Sequence, residues 1–412
     1  MKRISTWFLA ALIGLAIAAL SFAPRLSSAG PDEATAAAGP KLEFVQAIDT
    51  DNQGHPYGMN VTSMALIGDT LYVSYYSCGT LRYYRRDRQT GKLTLGGELD
   101  AGQRLRDAFP NSPRWWIWST SHCITLATAR GRLYAIPADG KAMAWYEPDP
   151  ATGEPIEKGM VECPAGLAVA VSPDGNDLYV KGQPGPHAPG DGRIVWYHLD
   201  AATGKPAKSG EISGPAVGNC GGPHMVLSPD GANLYQFATQ ERKDGSYPDV
   251  TLGFKRKPTG EIEIDKDFEL NKATPADSHF PSTLTMSPDG KRVYFAAASR
   301  TDCWLNIYKR DPATGELSAQ ETIAGGPRGR HFVFLPDGVS GYWGGADGLA
   351  AFKLDPATGH MTEASQLKET ASQSPTILAL DSANGFLYAG STDAKAAHSL
   401  FVARVEKQPA AK

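Results

Sequence analysis

Residues 282–322 read STLTMSPDGKRVYFAAASRTDCWLNIYKRDPATGELSAQET. The stretch divides into four short apolar runs: Ser282 to Met286, Val293 to Ala297, Leu305 to Lys309 and Glu316 to Thr322. Between the first two stands Ser287-Pro-Asp-Gly290, and between the last two Asp311-Pro-Ala-Thr-Gly315. Proline presets φ and glycine accepts a positive φ, so both phrases are tight turns. The runs are rich in Val, Tyr, Leu and Phe, as half-buried strands require. Four antiparallel strands in 41 residues make one blade of a β-propeller.

The same unit recurs along the chain. A Thr-Gly turn, mostly written Asp-Pro-Ala-Thr-Gly, ends at Gly91, Gly153, Gly204, Gly260, Gly315 and Gly359. Ser-Pro-Asp-Gly recurs at Ser172, Ser228 and Ser287, with Leu-Pro-Asp-Gly at Leu335. Two interleaved turn phrases at a period near fifty define a repeat protein. Seven second strands are countable by a central tyrosine: Tyr72, Tyr134, Tyr179, Tyr235, Tyr294, Tyr342 and Tyr388. Those tyrosines are expected to pack between adjacent blades. The fold class is therefore all-β, a seven-bladed propeller of four-stranded antiparallel blades. The last blade lacks a fourth strand before the chain ends, while residues 41–48, Lys-Leu-Glu-Phe-Val-Gln-Ala-Ile, look like one. Strand 41–48 is expected to close the ring in the last blade and leave no long unpaired edge. No helical periodicity of useful length follows the first thirty residues.

Those first residues have another purpose. Lys2 and Arg3 precede an apolar stretch from Trp7 to Phe22, and Ser27-Ser28-Ala29 offers small residues for cleavage. Residues 1–29 are expected to be a signal peptide, which places the mature protein in the periplasm or outside the cell. Residues 30–40 and 408–412 read as a disordered lead-in and tail, and 41–407 as a single propeller. After signal cleavage no membrane segment is expected. Net charge is −4 and the pI near 6.2, with no basic stripe, so nucleic acid is excluded as an expected partner.

Strand direction sorts the rest of the chemistry. The two repeated turns occupy one face; the connections from second to third strand and from one blade to the next occupy the other. On that second face fall His55, His122, His224, His279 and His331, each at or just before a first strand, where the central channel opens. Converging imidazoles suit acid–base work or holding an anion. His331, His279, His224 and Glu162 are the expected catalytic residues. Arg330, Arg328, His55, His122, Arg114, Trp115, Trp116 and Asp277 are the expected ligand contacts. Three of the eight tryptophans, with Arg104, Arg106 and Arg114, stand in the insertion Leu99 to Ser121. Cys123, Cys163 and Cys220 fall on the same face in neighbouring blades and are disulfide candidates, consistent with export. No cofactor is expected; the alternative is a divalent metal at the histidine-rich mouth, although zinc-ligand spacing is absent. A small molecule is the expected ligand, and the loop-rich face is open to a protein partner.

Three stretches resemble the lactonase-type seven-bladed propellers, the group of bacterial 6-phosphogluconolactonase and fungal muconate-lactonizing enzymes. They are Ser-Pro-Asp-Gly-Asn-Asp-Leu-Tyr-Val at 172–180, Tyr-Lys-Arg-Asp-Pro-Ala-Thr-Gly-Glu-Leu at 308–317, and Gly-Pro-Arg-Gly-Arg-His-Phe-Val-Phe-Leu-Pro-Asp-Gly at 326–338. The last resembles the family's Gly-Pro-Arg-His pocket segment, which implies binding or catalytic roles for Arg330 and His331. In blade 3 this chain has Cys163-Pro-Ala-Gly and Lys181-Gly-Gln where the family carries a His-containing and an Asp-Leu-Gly stretch. The resemblance implies a lactonase-like hydrolase or binder of a lactone, ester or organic acid. A non-catalytic binding or scaffold propeller, and a redox-enzyme or metal-binding subunit, are the alternatives.

Overall fold

The computed structural model describes residues 40–49, 60–75, 79–101, 124–137, 142–164, 166–182, 192–214, 217, 225–239, 249–269, 280–298, 303–324, 329–371, 373–393 and 396–405. The expected signal peptide and C-terminal tail, and all of the expected lead-in but Pro40, lie outside them. The strands form seven four-stranded antiparallel sheets, six of them from four consecutive strands. In the quoted stretch the strands run Phe280–Met286, Arg292–Ala298, Cys303–Arg310 and Leu317–Ala324. The ends differ from the sequence expectation by one or two residues, the usual margin for strand termini.

The seven first strands make the inner ring. They are Val61–Ile67, Ile124–Ala129, Gly166–Val171, Met225–Leu227, Phe280–Met286, Gly329–Phe334 and Pro375–Asp381. Each packs on the next, and the last packs on the first. The seventh sheet is closed from the far end of the chain: Leu42–Asp49 pairs antiparallel with His398–Val405, from Leu42 opposite Val405 to Asp49 opposite His398. Each of the seven fourth strands has a pairing irregularity against its third strand. Bulges twist and blunt the outermost edge, which would otherwise template pairing with another chain.

The core lies between blades. The seven second-strand tyrosines are at most 1% exposed. Six of them present the hydroxyl to the next blade. Tyr72, Tyr134, Tyr179, Tyr235 and Tyr294 donate to the carbonyls of Gly153, Gly204, Gly260, Gly315 and Gly359, and Tyr388 donates to Gly91. Those glycines end the Thr-Gly turns. Tyr342 faces the one blade whose outer strands are joined by no such turn, because its fourth strand comes from the N-terminus. The repeated phrase is therefore the socket of a blade-to-blade latch as well as a turn.

The turn chemistry builds that socket. In blade 2, Asp149 Oδ1 accepts the N–H groups of Ala151 and Thr152, and Thr152 Oγ1 accepts that of Glu154. The N–H of Gly153 donates to the carbonyl of Asp149, and its φ of +75° suits glycine. A Cβ there would stand 2.1 Å from Thr70 Oγ1 of blade 1. In the other phrase the side chains brace each other. Ser172 Oγ donates to Asp174 Oδ1 and accepts the N–H of Asp177. Burial works against the charge on Asp174, but bonds from Ser172 and Asn176 outweigh it and hold the carboxyl near 2.

Arginines add a second set of ties. Arg310 is 1% exposed and bonds Tyr235 Oη, Asp230 and Asn233 of blade 4. Arg256 likewise reaches Tyr179 and Asp177 of blade 3, and Arg86 reaches Asp381 of blade 7. Breaking such a partly or fully buried pair leaves an uncompensated charge.

Candidate functional site

The channel-side histidine that the structure describes is His331. It sits in the first strand of blade 6, where Gly329 pairs with Gly345 and His331 with Gly344. Arg330 is thus the extra residue of a bulge. Bulges re-aim side chains beside functional sites. Equivalent irregularities open the first strands of blades 1, 3, 5 and 7, after Val61, Gly166, Pro281 and Pro375. The inner rim on this side is built from irregular strand starts, whereas the turn side is built from regular turns.

The ring of His331 is held by the neighbouring blade. The backbone N–H of Leu378, in the first strand of blade 7, donates to His331 Nδ1 at 3.0 Å. Blade 1 contains the same contact made differently: Ser63 follows its bulge, and Ser63 Oγ accepts the N–H of Leu126 in blade 2 at 3.1 Å. Gly344, opposite His331, allows this approach, since a Cβ there would lie 1.9 Å from the carbonyl oxygen of Pro375. His331 is half-buried in the wall between blades 6 and 7. Burial lowers its pKa to about 4, and among the described residues no charge contributes to the shift. His331 is therefore neutral at neutral pH.

Glu162 occupies a different place from the one its position before blade 3 suggests. It is the last residue of Pro155–Glu162, the outermost strand of blade 2, and pairs with Ala142. Its side chain is exposed, and its carbonyl accepts Tyr197 Oη at 2.9 Å. Among the described residues no contact joins it to His331. Three residues connect that strand to blade 3, so the carboxylate stands at the outer edge and the imidazole at the inner one.

Cys163 corrects the expected disulfide. It is a free thiol, 2% exposed in the joint between blades 2 and 3. Burial pushes its pKa up to about 12, against a hydrogen bond with Tyr197 and the charge of Arg193. A thiol at that value is inert at neutral pH. The apolar neighbours Ile136, Val180 and Val195 account for its presence as a small hydrophobe.

His279, His224, Arg328, His55, His122, Arg114, Trp115, Trp116, Asp277, Cys123 and Cys220 lie outside the described residues. Among the described residues no three His, Cys, Asp or Glu side chains converge as a metal site. The remaining described histidines pair with carboxylates. His398 begins the last strand, and its Nδ1 lies 2.8 Å from Asp49 of the closing strand. His198 pairs with Asp177 and His360 with Glu321. His360 lines an open cleft of about 440 Å³ with Gln320, Glu321, Asp355, Thr358 and Thr362. That cleft is made of outer-strand and turn residues and lies away from the channel.

One buried cation escaped the sequence reading as a site residue. Lys181 is completely buried and pairs in register with Ala168 and Ile194, on the blade 3 face that packs against blade 4. Across that joint Gln236, also buried, donates from Nε2 to the carbonyl of Val217. The available signal was a lysine two residues after Tyr179, where the other blades hold Ser74, Ile136, Phe237, Ala296, Gly344 and Gly390, all uncharged.

A family model described as "Lactonase, 7-bladed beta-propeller" matches residues 168–340, from the first strand of blade 3 into blade 6. No curated protein sequence matches the chain. Among solved structures, a candidate 6-phosphogluconolactonase from Bacteroides fragilis superposes with a TM-score of 0.56 at 13% identity, over 85% of this chain and all of that one (100%). The periplasmic gluconolactonase PpgL of Pseudomonas aeruginosa gives 0.51 at 16%, over 80% of this chain and 97% of that one. The Cps50 (Swd1) β-propeller domain of Myceliophteria thermophila gives 0.55 at 11%, over 89% of this chain and 100% of that one. Proteins of such different description superpose equally well, so these likenesses establish the fold alone. The strands make this chain a seven-bladed β-propeller, and the lactonase family model matches residues 168–340, under half of it.

Proposed function

We propose that the protein is an exported hydrolase that binds a small lactone at the channel mouth and opens it to the hydroxy acid. The supporting observation is that the lactonase family match runs through the first strand of blade 6 and includes His331. In the reaction water adds to the ring carbonyl, the ring C–O bond breaks, and the acid product releases one proton at neutral pH. Arg330 and Arg328 hold the carbonyl or a carboxylate of the substrate, with His55, His122, His224, His279 and Asp277 contributed by the other blades. Arg114, Trp115 and Trp116 cover the ligand from the insertion, where an indole face suits a sugar ring. The reaction requires no cofactor. The signal-peptide pattern at residues 1–29 supports export, and the PpgL enzyme, described as periplasmic, is a structural neighbour in a matching compartment.

An exported enzyme meets unphosphorylated lactones, so glucono-1,5-lactone and related aldonolactones are the first substrates to test. Proton release by the purified mature protein in a pH-stat should exceed the spontaneous rate. A rate equal to the blank on a panel of five- and six-membered lactones, with gluconate binding still measurable by calorimetry, would transfer the site to a non-catalytic binding propeller.

A further inference from the structure

We infer that His331 serves its ligand through a fixed Nε2–H, as a hydrogen-bond donor to a carbonyl or oxyanion oxygen, and that it is not the base that activates water. The identity of that oxygen as a lactone carbonyl rests on the hydrolytic reading above; the state of the ring does not. A backbone N–H can only donate, so the Leu378 N–H at 3.0 Å requires a lone pair on Nδ1. In a neutral imidazole the proton is then on Nε2, and that nitrogen has no lone pair with which to accept one. Protonating Nδ1 would set two donors against each other in the wall.

Blade 1 supplies independent support. At the equivalent place after the bulge, Ser63 makes the same inter-blade bond with a hydroxyl oxygen. In blade 1 a group that never titrates in this range makes the bond, whereas the residues after the equivalent bulges of blades 3 and 7, Ala168 and Ile377, have no side-chain acceptor. His331 makes the bond with Nδ1 and has a second nitrogen remaining, on a residue that is half-buried and not enclosed. A neutral, oriented imidazole N–H suits polarising a carbonyl and stabilising the oxyanion that water addition creates. In that step the carbonyl π pair moves to oxygen, which accepts the Nε2–H bond. The proton lost by water goes to a different base, and the leaving ring oxygen takes up a proton as the C–O bond breaks. His331 stays neutral throughout.

Histidine-selective 15N labelling of the full mature protein reads the ring directly. The expected spectrum has Nε2 protonated and Nδ1 unprotonated from pH 8 to about pH 5, where an ordinary histidine would have titrated. Added glucono-1,5-lactone or gluconate should move the Nε2–H resonance. His331→Ser separates the two nitrogens, since Ser63 shows that a serine can hold the neighbouring strand. This variant should keep its melting temperature within about 2 °C of wild type while kcat falls by about 10²–10³, the loss typical of one oxyanion donor. His331→Phe should lose both stability and turnover. A ring that titrates near pH 6.5, an Nδ1–H tautomer, or unchanged kcat in His331→Ser would each overturn the inference. If the wild type opens no lactone, the hydrolytic reading fails instead. The Nε2–H response to gluconate then decides the inference alone: a shift supports it, and no shift overturns it.

Discussion

The turn end of the propeller and its channel-side rim are built from the same strands, yet they follow different rules. At the turn end one solution recurs: a Thr-Gly turn, Asp-anchored in five of six cases, receives a tyrosine hydroxyl from the blade before it, six times around the ring. At the rim the equivalent contact changes from blade to blade, with Ser63 in blade 1 and His331 in blade 6. Where a contact only has to hold blades together, repetition preserves it. Where a position varies from blade to blade, its side chain is available for chemistry, and His331 is the titratable group among Ser63, Ala168, Thr283, His331 and Ile377.

The contrast can be broken most severely at the seventh joint, the one without a Thr-Gly socket. Deleting residues 41–48 removes the fourth strand of the last blade and exposes the third-strand edge. The melting temperature should fall by more than about 10 °C, or the protein should not fold at all. An unchanged thermal melt would show that the latches alone sustain the ring.

Acid should separate the two ends next. His331 has a folded pKa of about 4 against an ordinary value near 6.5. The unfolded chain therefore binds more protons between those values, and stability rises with pH through this window. Its contribution is complete above pH 6.5 and is lost as pH falls to about 4, by roughly 2–3 kcal/mol at 1.4 kcal/mol per pH unit. Urea midpoints of wild type and His331→Ser should coincide at neutral pH and diverge toward pH 4, as the wild type loses stability that the serine variant keeps. Parallel curves would mean the ring is not held neutral.

Smaller effects sharpen the turn end. Gly153→Ala forces a Cβ into the Thr70 hydroxyl at positive φ and should cost about 2 kcal/mol. Tyr72→Phe removes only the 2.7 Å bond to the Gly153 carbonyl and should cost about 1 kcal/mol in chemical denaturation. If Tyr72→Phe cost more than Gly153→Ala, the latch would outrank the shape of its socket.

The seven tyrosines, the two turn phrases and the orphan strand at 41–48 made blade number, strand direction and closure legible from the chain. They were legible because turns and alternating strands are local, and repetition amplifies a local signal. The tyrosines were expected to pack between blades, which they do. That their hydroxyls enter the next Thr-Gly turn was not readable, because the two groups stand 65–81 residues apart in five of the latches. Glu162 was read as a catalytic residue beside the channel histidines. Pairing carries its strand to the full eight residues and leaves the side chain on the outer edge of blade 2. Cys163 was read beside other cysteines, but its environment is a joint of apolar side chains.

By itself, then, the sequence determined the propeller, its seven blades and the face on which unusual residues gather. Turn chemistry and strand periodicity act within a few residues, so they survive translation into text. Only the tertiary structure decided what His331 is. Its proton is assigned by a backbone N–H from the next blade, 47 residues away, and its low pKa by burial in the wall. Burial and inter-blade hydrogen bonds exist only once the ring is closed.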